Sequence, residues 1–163
     1  MELTSLSLFL IKTFGYLGIL GAGIISSATI FFPIPLYLII FFSTSLGLNP
    51  LAVGLLAGLG NAVGELTGYF VGLGGTTFVE ERKKKTPKFY FKFLRFFENY
   101  GFIVIFLAAF LPFPFDIVGM MSGAAKYDLK KFFIATFLGK SLKCLLIAYA
   151  GHFVLPAALS WLS

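Results

Sequence analysis

Between residues 5 and 79 the chain carries two charged side chains, Lys12 and Glu65. This stretch is several times longer than the roughly 20 apolar residues that a helix needs to cross a bilayer. The whole chain of 163 residues is 58% hydrophobic and 12% charged, so it has too few polar side chains to cover a water-facing surface. The sequence therefore predicts an integral membrane protein and excludes a soluble domain.

Few side chains are available for other kinds of chemistry. The one cysteine, Cys144, lies in an apolar run, so no disulfide or thiolate metal cluster can form within one chain. Residue spacing indicates no set of nucleophile, base and orienting group, so we expect neither an enzyme nor a metal or cofactor. The net charge of +6 comes from basic residues beside apolar segments, which favours membrane lipids over nucleic acid as the partner.

Charge is concentrated in residues 80–98, which hold ten of the twenty charged side chains and seven of the thirteen basic ones. Basic and phenylalanine residues alternate in its second half, which predicts an amphipathic helix in the headgroup layer, with a solvated linker as the alternative. Three more lysines lie at residues 126–131, whereas the turn at residues 47–50 has no basic residue. Because basic loops stay in the cytoplasm, we expect both basic segments there, on the inner face of the cell membrane.

Residues 99–125 form an apolar run that is long enough to cross a bilayer, but both of its flanks are basic. A crossing would therefore place one basic cluster outside. The middle of the run contains Pro112 and Pro114, which interrupt a helix, followed by Asp116, a carboxylate that is costly at mid-depth. We predict a re-entrant hairpin with its tip at the midplane; the alternative is that residues 5–32 and 99–125 are plain spanning helices.

The two halves of the sequence align without a gap when Pro33 is placed on Pro112, and we call this constant shift the repeat offset. The same shift pairs Pro35 with Pro114, Gly60 with Gly139 and Gly72 with Gly151. We expect each half to contain an interfacial helix, a broken hairpin and one crossing helix, at about residues 52–73 and 131–150. A single crossing per half inverts the second half relative to the first, as in many transporters.

The predicted fold is an all-α integral membrane protein, an inverted repeat of two re-entrant helical hairpins, each followed by a transmembrane helix, with interfacial amphipathic helices added. It is a single membrane domain, in which the first repeat covers about residues 3–73 and the second about 99–151, followed by a short tail at 152–163. The sequence leaves open whether residues 3–18 lie on the surface or span the bilayer, and whether the chain forms a homo-oligomer.

Glycines follow a four-residue period on the first crossing helix, at Gly60, Gly64, Gly68 and Gly72. Small residues at this spacing let another helix approach to backbone distance. We therefore assign this face to helix packing.

Polar side chains of both halves are expected to meet near the midplane. They are Asn61, Glu65 and Tyr69 of the first crossing helix, Lys140 and Lys143 of the second, and Asp116 beside the second proline tip. At about 1.5 Å per residue, Glu65 lies roughly 20 Å along its helix and so inside the hydrocarbon. Ionisable groups at this depth are candidates for substrate binding, and the alternative is that two carboxylates and two lysines neutralise one another as structural ion pairs.

The two proline-broken hairpins, the segment GNAVGELTGYFVG at residues 60–72 and the segment that begins LPFPFDIVGMMSGAAK at residue 111 resemble the DedA family, also called the VTT or SNARE-associated Golgi protein domain. The resemblance covers about residues 20–152. It implies lipid translocation, because bacterial members are implicated in recycling undecaprenyl phosphate and eukaryotic relatives scramble phospholipids. Glu65 matches the acidic position that the family has after the first hairpin.

The chain departs from the family pattern at both tips. Many members carry arginines around the second tip, where this chain has Ala109 and Phe115, and an acidic residue at the first tip, where it has Leu36 and Tyr37. Recognition of a phosphate by those arginines does not carry over, so a lysine of the second crossing helix would have to replace them.

We expect a lipid flippase or scramblase that moves a phosphate-bearing lipid, either a polyprenyl phosphate or a phospholipid, through a polar midplane site. Two other functions stay open. Glu65 and Asp116 favour a proton-coupled or cation-coupled carrier of a small soluble solute. The glycine face favours a non-catalytic membrane assembly protein.

Overall fold

The computed structural model describes residues 2–28, 35–80, 88–112 and 114–162, and these residues form helices and turns without a strand. The helices are α1 (Glu2–Ala28), α2 (Leu36–Ser45), α3 (Pro50–Glu80), α4 (Lys88–Phe110), α5 (Phe115–Ala124) and α6 (Leu129–Leu162). The prediction of an all-α chain is confirmed.

Among the described residues, two stretches are long and apolar enough to cross a membrane, Pro50–Gly75 within α3 and Leu129–Val154 within α6. They coincide with the crossing helices expected at about residues 52–73 and 131–150. The two helices pack against each other and leave large apolar side chains exposed on their outer faces, such as Phe70 and Leu146. Exposed apolar side chains of this kind suit a surface that faces lipid.

Prolines interrupt the other apolar runs. The run at residues 99–125 is not one straight helix, because α4 ends at Phe110, Pro112 lies in the turn that follows, and Pro114 immediately precedes α5. A proline has no N–H for the helix ladder and clashes with the preceding turn. The alternative of a plain spanning helix at residues 99–125 is therefore wrong. Pro35 likewise precedes α2, whereas Pro33 lies outside the described residues.

Four helices are longer than the sequence predicts, and one of them is α3, which was expected at about residues 52–73 and continues to Glu80. α1 runs without a break from Glu2 to Ala28 and α4 from Lys88 to Phe110, so the predicted interfacial segments are continuous with the helices that precede the breaks. Neither helix contains a proline that would separate the two parts. α6 continues to Leu162, so residues 152–162 of the expected tail extend the helix.

Each short helix packs against the long helix of the opposite half. α1 packs on α3 and α4 packs on α6, whereas α2 packs on α6 and α5 packs on α3. Exchanging α1, α2 and α3 for α4, α5 and α6 leaves this list of contacts unchanged.

The turns after α2 and α5 have matching backbone hydrogen bonds, related by the repeat offset. The matching N–H to O=C pairs are Leu46 to Phe42 and Ala125 to Met121, Gly47 to Thr44 and Lys126 to Gly123, and Leu48 to Ser43 and Tyr127 to Ser122. Each turn also has one residue at positive φ, Gly47 at 97° and Lys126 at 52°. The offset found in the sequence therefore holds in the backbone of these turns.

Glycines allow α3 to approach two different helices. A Cβ added at Gly60 or Gly64 would meet backbone oxygens of α1. At Gly72 it would overlap the carbonyl oxygen of Met120 in α5, and Gly68 faces the same helix. The four glycines thus pack two neighbours, α1 with the first pair and α5 with the second.

A matching contact joins α6 to α2. A Cβ added at Gly151 would overlap the carbonyl oxygen of Phe41, and the repeat offset relates this pair to Gly72 and Met120. Real Cβ atoms do not come so close to a carbonyl, so both positions need a residue without a side chain.

In the part of the chain that the structure describes, the apolar core contains two clusters. One includes Phe132 and Phe115 of α5, and the other includes Val53 and Leu36 of α2. Phe115 and Leu36 also line one cavity, which contains the candidate site.

Candidate functional site

A cavity of about 530 Å³ opens beside the two helix breaks, and we call it the central cavity. It is lined by Ser26, Ser27, Leu36, Tyr37, Asn61, Glu65, Phe110, Pro112, Pro114, Phe115, Asp116, Lys140, Lys143 and Ile147. Its volume is typical of sites for small molecules. The structure brings all four predicted ionisable side chains, Glu65, Asp116, Lys140 and Lys143, to this one cavity.

Glu65 of α3 and Lys140 of α6 form a buried ion pair. Lys140 Nζ donates a hydrogen bond to Glu65 Oε1 at 2.6 Å, and Lys140 and Glu65 are 6% and 3% exposed. The ammonium group also lies 4.9 Å from the ring centroid of Phe115, within the range of a cation–π contact. Removal of either partner would leave a buried charge without compensation, so the pair ties the two long helices together.

The second carboxylate oxygen of Glu65 is in a different situation. Glu65 Oε2 is buried, and no residue in the described part of the chain donates a hydrogen bond to it. A buried oxygen without a donor carries a desolvation cost that a proton, a cation or a ligand N–H would remove. The pair is therefore neutral in total charge but not fully satisfied.

A second polar link connects α1, α3 and α6 beside this pair. Ser27 Oγ donates to Asn61 Oδ1 at 2.5 Å, and Asn61 Nδ2 donates to Cys144 Sγ at 3.7 Å. Asn61 is 3% exposed, so these bonds satisfy an amide that would otherwise be costly in an apolar interior.

Lys143 connects the two helix breaks. Its Nζ donates to the backbone oxygen of Leu111 at 2.7 Å, in the turn after α4, where carbonyl groups have no partner within the helix. The same Nζ lies 5.9 Å from the ring centroid of Tyr37 at the start of α2. Lys143 is partly buried and uses one of its three N–H donors on Leu111, so two remain.

Asp116 lies in the first turn of α5, where the helix dipole favours a negative charge. It is partly exposed and lines the central cavity. Within residues 35–80, 88–112 and 114–162 it forms no ion pair, and in particular none with Lys143. The first turns of both α2 and α5 lack a side-chain cap, and both line the central cavity.

Tyr69 is the one predicted polar residue that the structure places away from the central cavity. Its hydroxyl donates to the backbone oxygen of Tyr127 at 2.5 Å, and its ring centroid lies 5.0 Å from that of Phe132. Two turns separate Tyr69 from Asn61, which is about 12 Å along a helix. Tyr69 therefore holds α3 to the turn between α5 and α6.

Some side chains of the site were not predicted from the sequence. Ser27 and Cys144 complete the polar link, and Tyr37 entered only as a departure from a family pattern. The adjacent serines at positions 26 and 27, in an otherwise apolar run, are a signal of a polar face that was available. A buried cysteine carries no comparable signal, because cysteine is common in apolar cores.

The remaining predicted positions fall as follows. Pro112 and Pro114 line the central cavity, and Pro35 stands next to its wall at the start of α2. Among the described residues, no group of three histidine, cysteine, aspartate or glutamate side chains could hold a metal ion.

Comparison with known proteins gives one family and two relatives. The family model described as the VTT domain matches residues 32–153. An uncharacterised protein of Methanocaldococcus jannaschii is 28% identical over 140 residues, which are 82% of this chain and 82% of that protein. An uncharacterised protein of Haemophilus influenzae is 27% identical over 122 residues, which are 73% of this chain and 64% of that protein. No solved structure matches this chain.

Proposed function

Since the chain belongs to the VTT domain family, also called the DedA family, whose members are membrane proteins, we propose that it moves a phosphate-bearing lipid between the leaflets of a cell membrane. The lipid is a polyprenyl phosphate or a phospholipid, and the activity is that of a flippase or scramblase. The observation that carries the proposal is the central cavity, which collects two lysines and two carboxylates in a chain that is 12% charged.

The proposed placement has α3 and α6 crossing the bilayer, so that the chain is multi-pass. The helix pairs α1–α2 and α4–α5 are re-entrant hairpins, and the two halves form an inverted repeat. Three observations support this: the proline breaks beside the central cavity, the exchange of helix contacts between halves, and the matching hydrogen bonds of the turns. Residues 80–98 and 126–131 then lie on the cytoplasmic side.

Lipid transfer follows from this placement. The breaks shorten the apolar barrier at the midplane. The polar side chains of the central cavity replace part of the hydration that a headgroup loses there. Lysine ammonium groups bind phosphate oxygens as charge-assisted hydrogen-bond donors. Lys143 is the donor in this role, because it is partly exposed, whereas Lys140 is 6% exposed and its charge is paired with Glu65. The acyl or polyprenyl tails stay in the bilayer against exposed apolar side chains such as Leu38 and Ile117. No bond is broken, so the protein acts as a transporter and not as an enzyme.

Reconstitution tests the proposal directly. Purified protein in vesicles should accelerate the transbilayer exchange of a labelled phospholipid or polyprenyl phosphate. Lys143→Met should slow the exchange, whereas Lys130→Met, which changes an exposed lysine at the start of α6 outside the central cavity, should not. Exchange no faster than in protein-free vesicles, for every lipid class tried, would reject the proposal.

A proton-coupled or cation-coupled carrier of a small solute is the second candidate. The buried Glu65 Oε2, to which no described residue donates, favours it, because such an oxygen can take up a proton or a cation. This candidate predicts solute uptake that depends on a pH gradient and is abolished by Glu65→Gln but not by Lys143→Ala. Lipid transfer predicts sensitivity to both changes.

A further inference from the structure

The four charges of the central cavity do not form two equivalent pairs. Glu65 and Lys140 are bonded to each other at 2.6 Å and are almost fully buried. Asp116 and Lys143 are both partly exposed, and over the described ranges they are not joined to each other. One positive and one negative group are therefore available to a ligand in the same cavity.

The two available groups belong to different helices. Lys143 extends from α6 to the turn after α4 and to Tyr37 at the start of α2. Asp116 stands on the first turn of α5. Because both line the central cavity, a ligand there has a cationic donor and a carboxylate as partners.

The net charge of the ligand follows from this arrangement. A headgroup that carries only a phosphate would satisfy Lys143, but it would also bring a second negative charge beside Asp116 in a poorly solvated cavity. A headgroup that carries a phosphate and an ammonium group satisfies both side chains and leaves the cavity neutral. The zwitterionic headgroup gains a charge-assisted hydrogen bond to Asp116, whereas the anionic headgroup has a like-charge contact there.

Given the proposed function, on which this inference rests, we propose that the central cavity selects zwitterionic amine-bearing phospholipid headgroups over purely anionic ones, with the phosphate on Lys143 and the ammonium group on Asp116. Asp116 is then the specificity-determining residue. The repeat offset pairs Asp116 with the neutral Tyr37 of the first half. Only the second half therefore places a carboxylate at this position to bind the ammonium group.

Transbilayer exchange of two lipids tests the inference. The vesicles contain trace phosphatidylethanolamine or phosphatidylglycerol, each labelled on an acyl chain so that the headgroup keeps its charge, and a membrane-impermeant quencher reports the outer leaflet. Wild-type protein should exchange phosphatidylethanolamine roughly tenfold faster than phosphatidylglycerol, since a hydrogen bond to a charged group contributes about this factor or more. Asp116→Asn should slow phosphatidylethanolamine to the phosphatidylglycerol rate and leave phosphatidylglycerol unchanged or faster.

Asp128→Asn is the matched control, because Asp128 is an exposed aspartate outside the central cavity. Its counterpart in the first half, Asn49, caps α3 in the way that Asp128 caps α6, so asparagine suits this capping position. This variant should keep both rates. Asp116→Glu, which keeps the charge, should keep the preference for phosphatidylethanolamine.

The outcomes separate the two proposals. If wild-type protein exchanges both lipids at equal rates that exceed those of protein-free vesicles, the inference is overturned and the proposed function stands. A preference for phosphatidylglycerol, or an equal loss for both lipids in Asp116→Asn, also overturns the inference. If neither lipid, nor any other class tried, exchanges faster than in protein-free vesicles, the proposed function falls and the inference falls with it.

Discussion

The first half of the molecule, α1 to α3, and the second half, α4 to α6, share a backbone plan but not their polar side chains. The repeat offset places Asn61 on Lys140 and Glu65 on Cys144. The contact of Asn61 with Cys144 is therefore the counterpart of the ion pair between Lys140 and Glu65. One contact is a weak amide–thiol hydrogen bond and its counterpart is a charged pair.

The positions that determine the backbone are thus different from those that provide the polar groups of the cavity. The positions that match between the halves are glycines at helix contacts, prolines at helix breaks and polar residues at turns, and they determine the backbone. The positions that differ include two pairs that line the central cavity, Asn61 with Lys140 and Tyr37 with Asp116. In the described part of the chain, four carboxylate and lysine side chains line the central cavity. The first half supplies Glu65, and the second half supplies Asp116, Lys140 and Lys143. A scaffold with matching turns and helix pairings in its two halves therefore carries a site whose two sides differ.

The largest effect should come from breaking the two counterpart contacts. Lys140→Met leaves Glu65 as a buried carboxylate without a partner and should lower the free energy of unfolding by about 3–5 kcal/mol. Asn61→Leu removes bonds between neutral groups and should cost about 1–2 kcal/mol. Denaturant titration in detergent micelles measures both. The double variant Glu65→Gln, Lys140→Met should recover much of the loss, and equal losses for the two single variants would contradict the comparison.

The matching glycine contacts should respond alike. Gly72→Ala forces a methyl group against the Met120 carbonyl, and Gly151→Ala does the same against Phe41. Each should lower the free energy of unfolding by about 1–3 kcal/mol, as overpacking does elsewhere. Gly74→Ala is the control, because an added Cβ meets nothing within 4 Å there. A large loss at one position and none at the other would show that the two halves do not share a backbone plan.

The caps of the two long helices offer a smaller test. Asn49 Oδ1 accepts from the N–H groups of Leu51 and Ala52, and Asp128 Oδ1 accepts from that of Lys131. Asn49→Ala and Asp128→Ala should each lower the unfolding free energy by about 1 kcal/mol. Asn49→Asp and Asp128→Asn keep a capping oxygen and should stay close to wild type. Thermal unfolding monitored by circular dichroism separates the two pairs of variants.

The smallest effect should appear at Lys126, one of the two positive-φ residues of the turns. Lys126→Gly removes a Cβ from a backbone with φ of 52° and so relieves its steric strain. This stabilisation is offset by the greater conformational freedom of glycine in the unfolded chain. We expect a change within about 0.5 kcal/mol, measured by the same thermal unfolding. Gly47→Ala places a Cβ at φ of 97° and should cost about 1 kcal/mol. A stabilising effect of Gly47→Ala would contradict the match between the turns.

Much of the fold could be predicted because its signals are local. Apolar length indicated α3 and α6, prolines indicated the breaks before α2 and α5, and the repeat offset holds in the turns. The length of α1 and α4 was not predicted, because a change from an interfacial to a more deeply placed segment alters where a helix lies without ending it. No proline or capping signal separates the two parts of either helix.

The sequence by itself determined the charges, their positions along the helices and the small residues along α3. Only the tertiary structure decided that Lys140 bonds to Glu65 while Lys143 bonds to the Leu111 carbonyl, and that Tyr69 turns away from the cavity. The two lysines are separated by less than one helical turn, so depth alone cannot distinguish them. Their partners depend on the rotation of α6 about its axis and on how closely each neighbour approaches it, which are set by contacts between residues far apart in the chain.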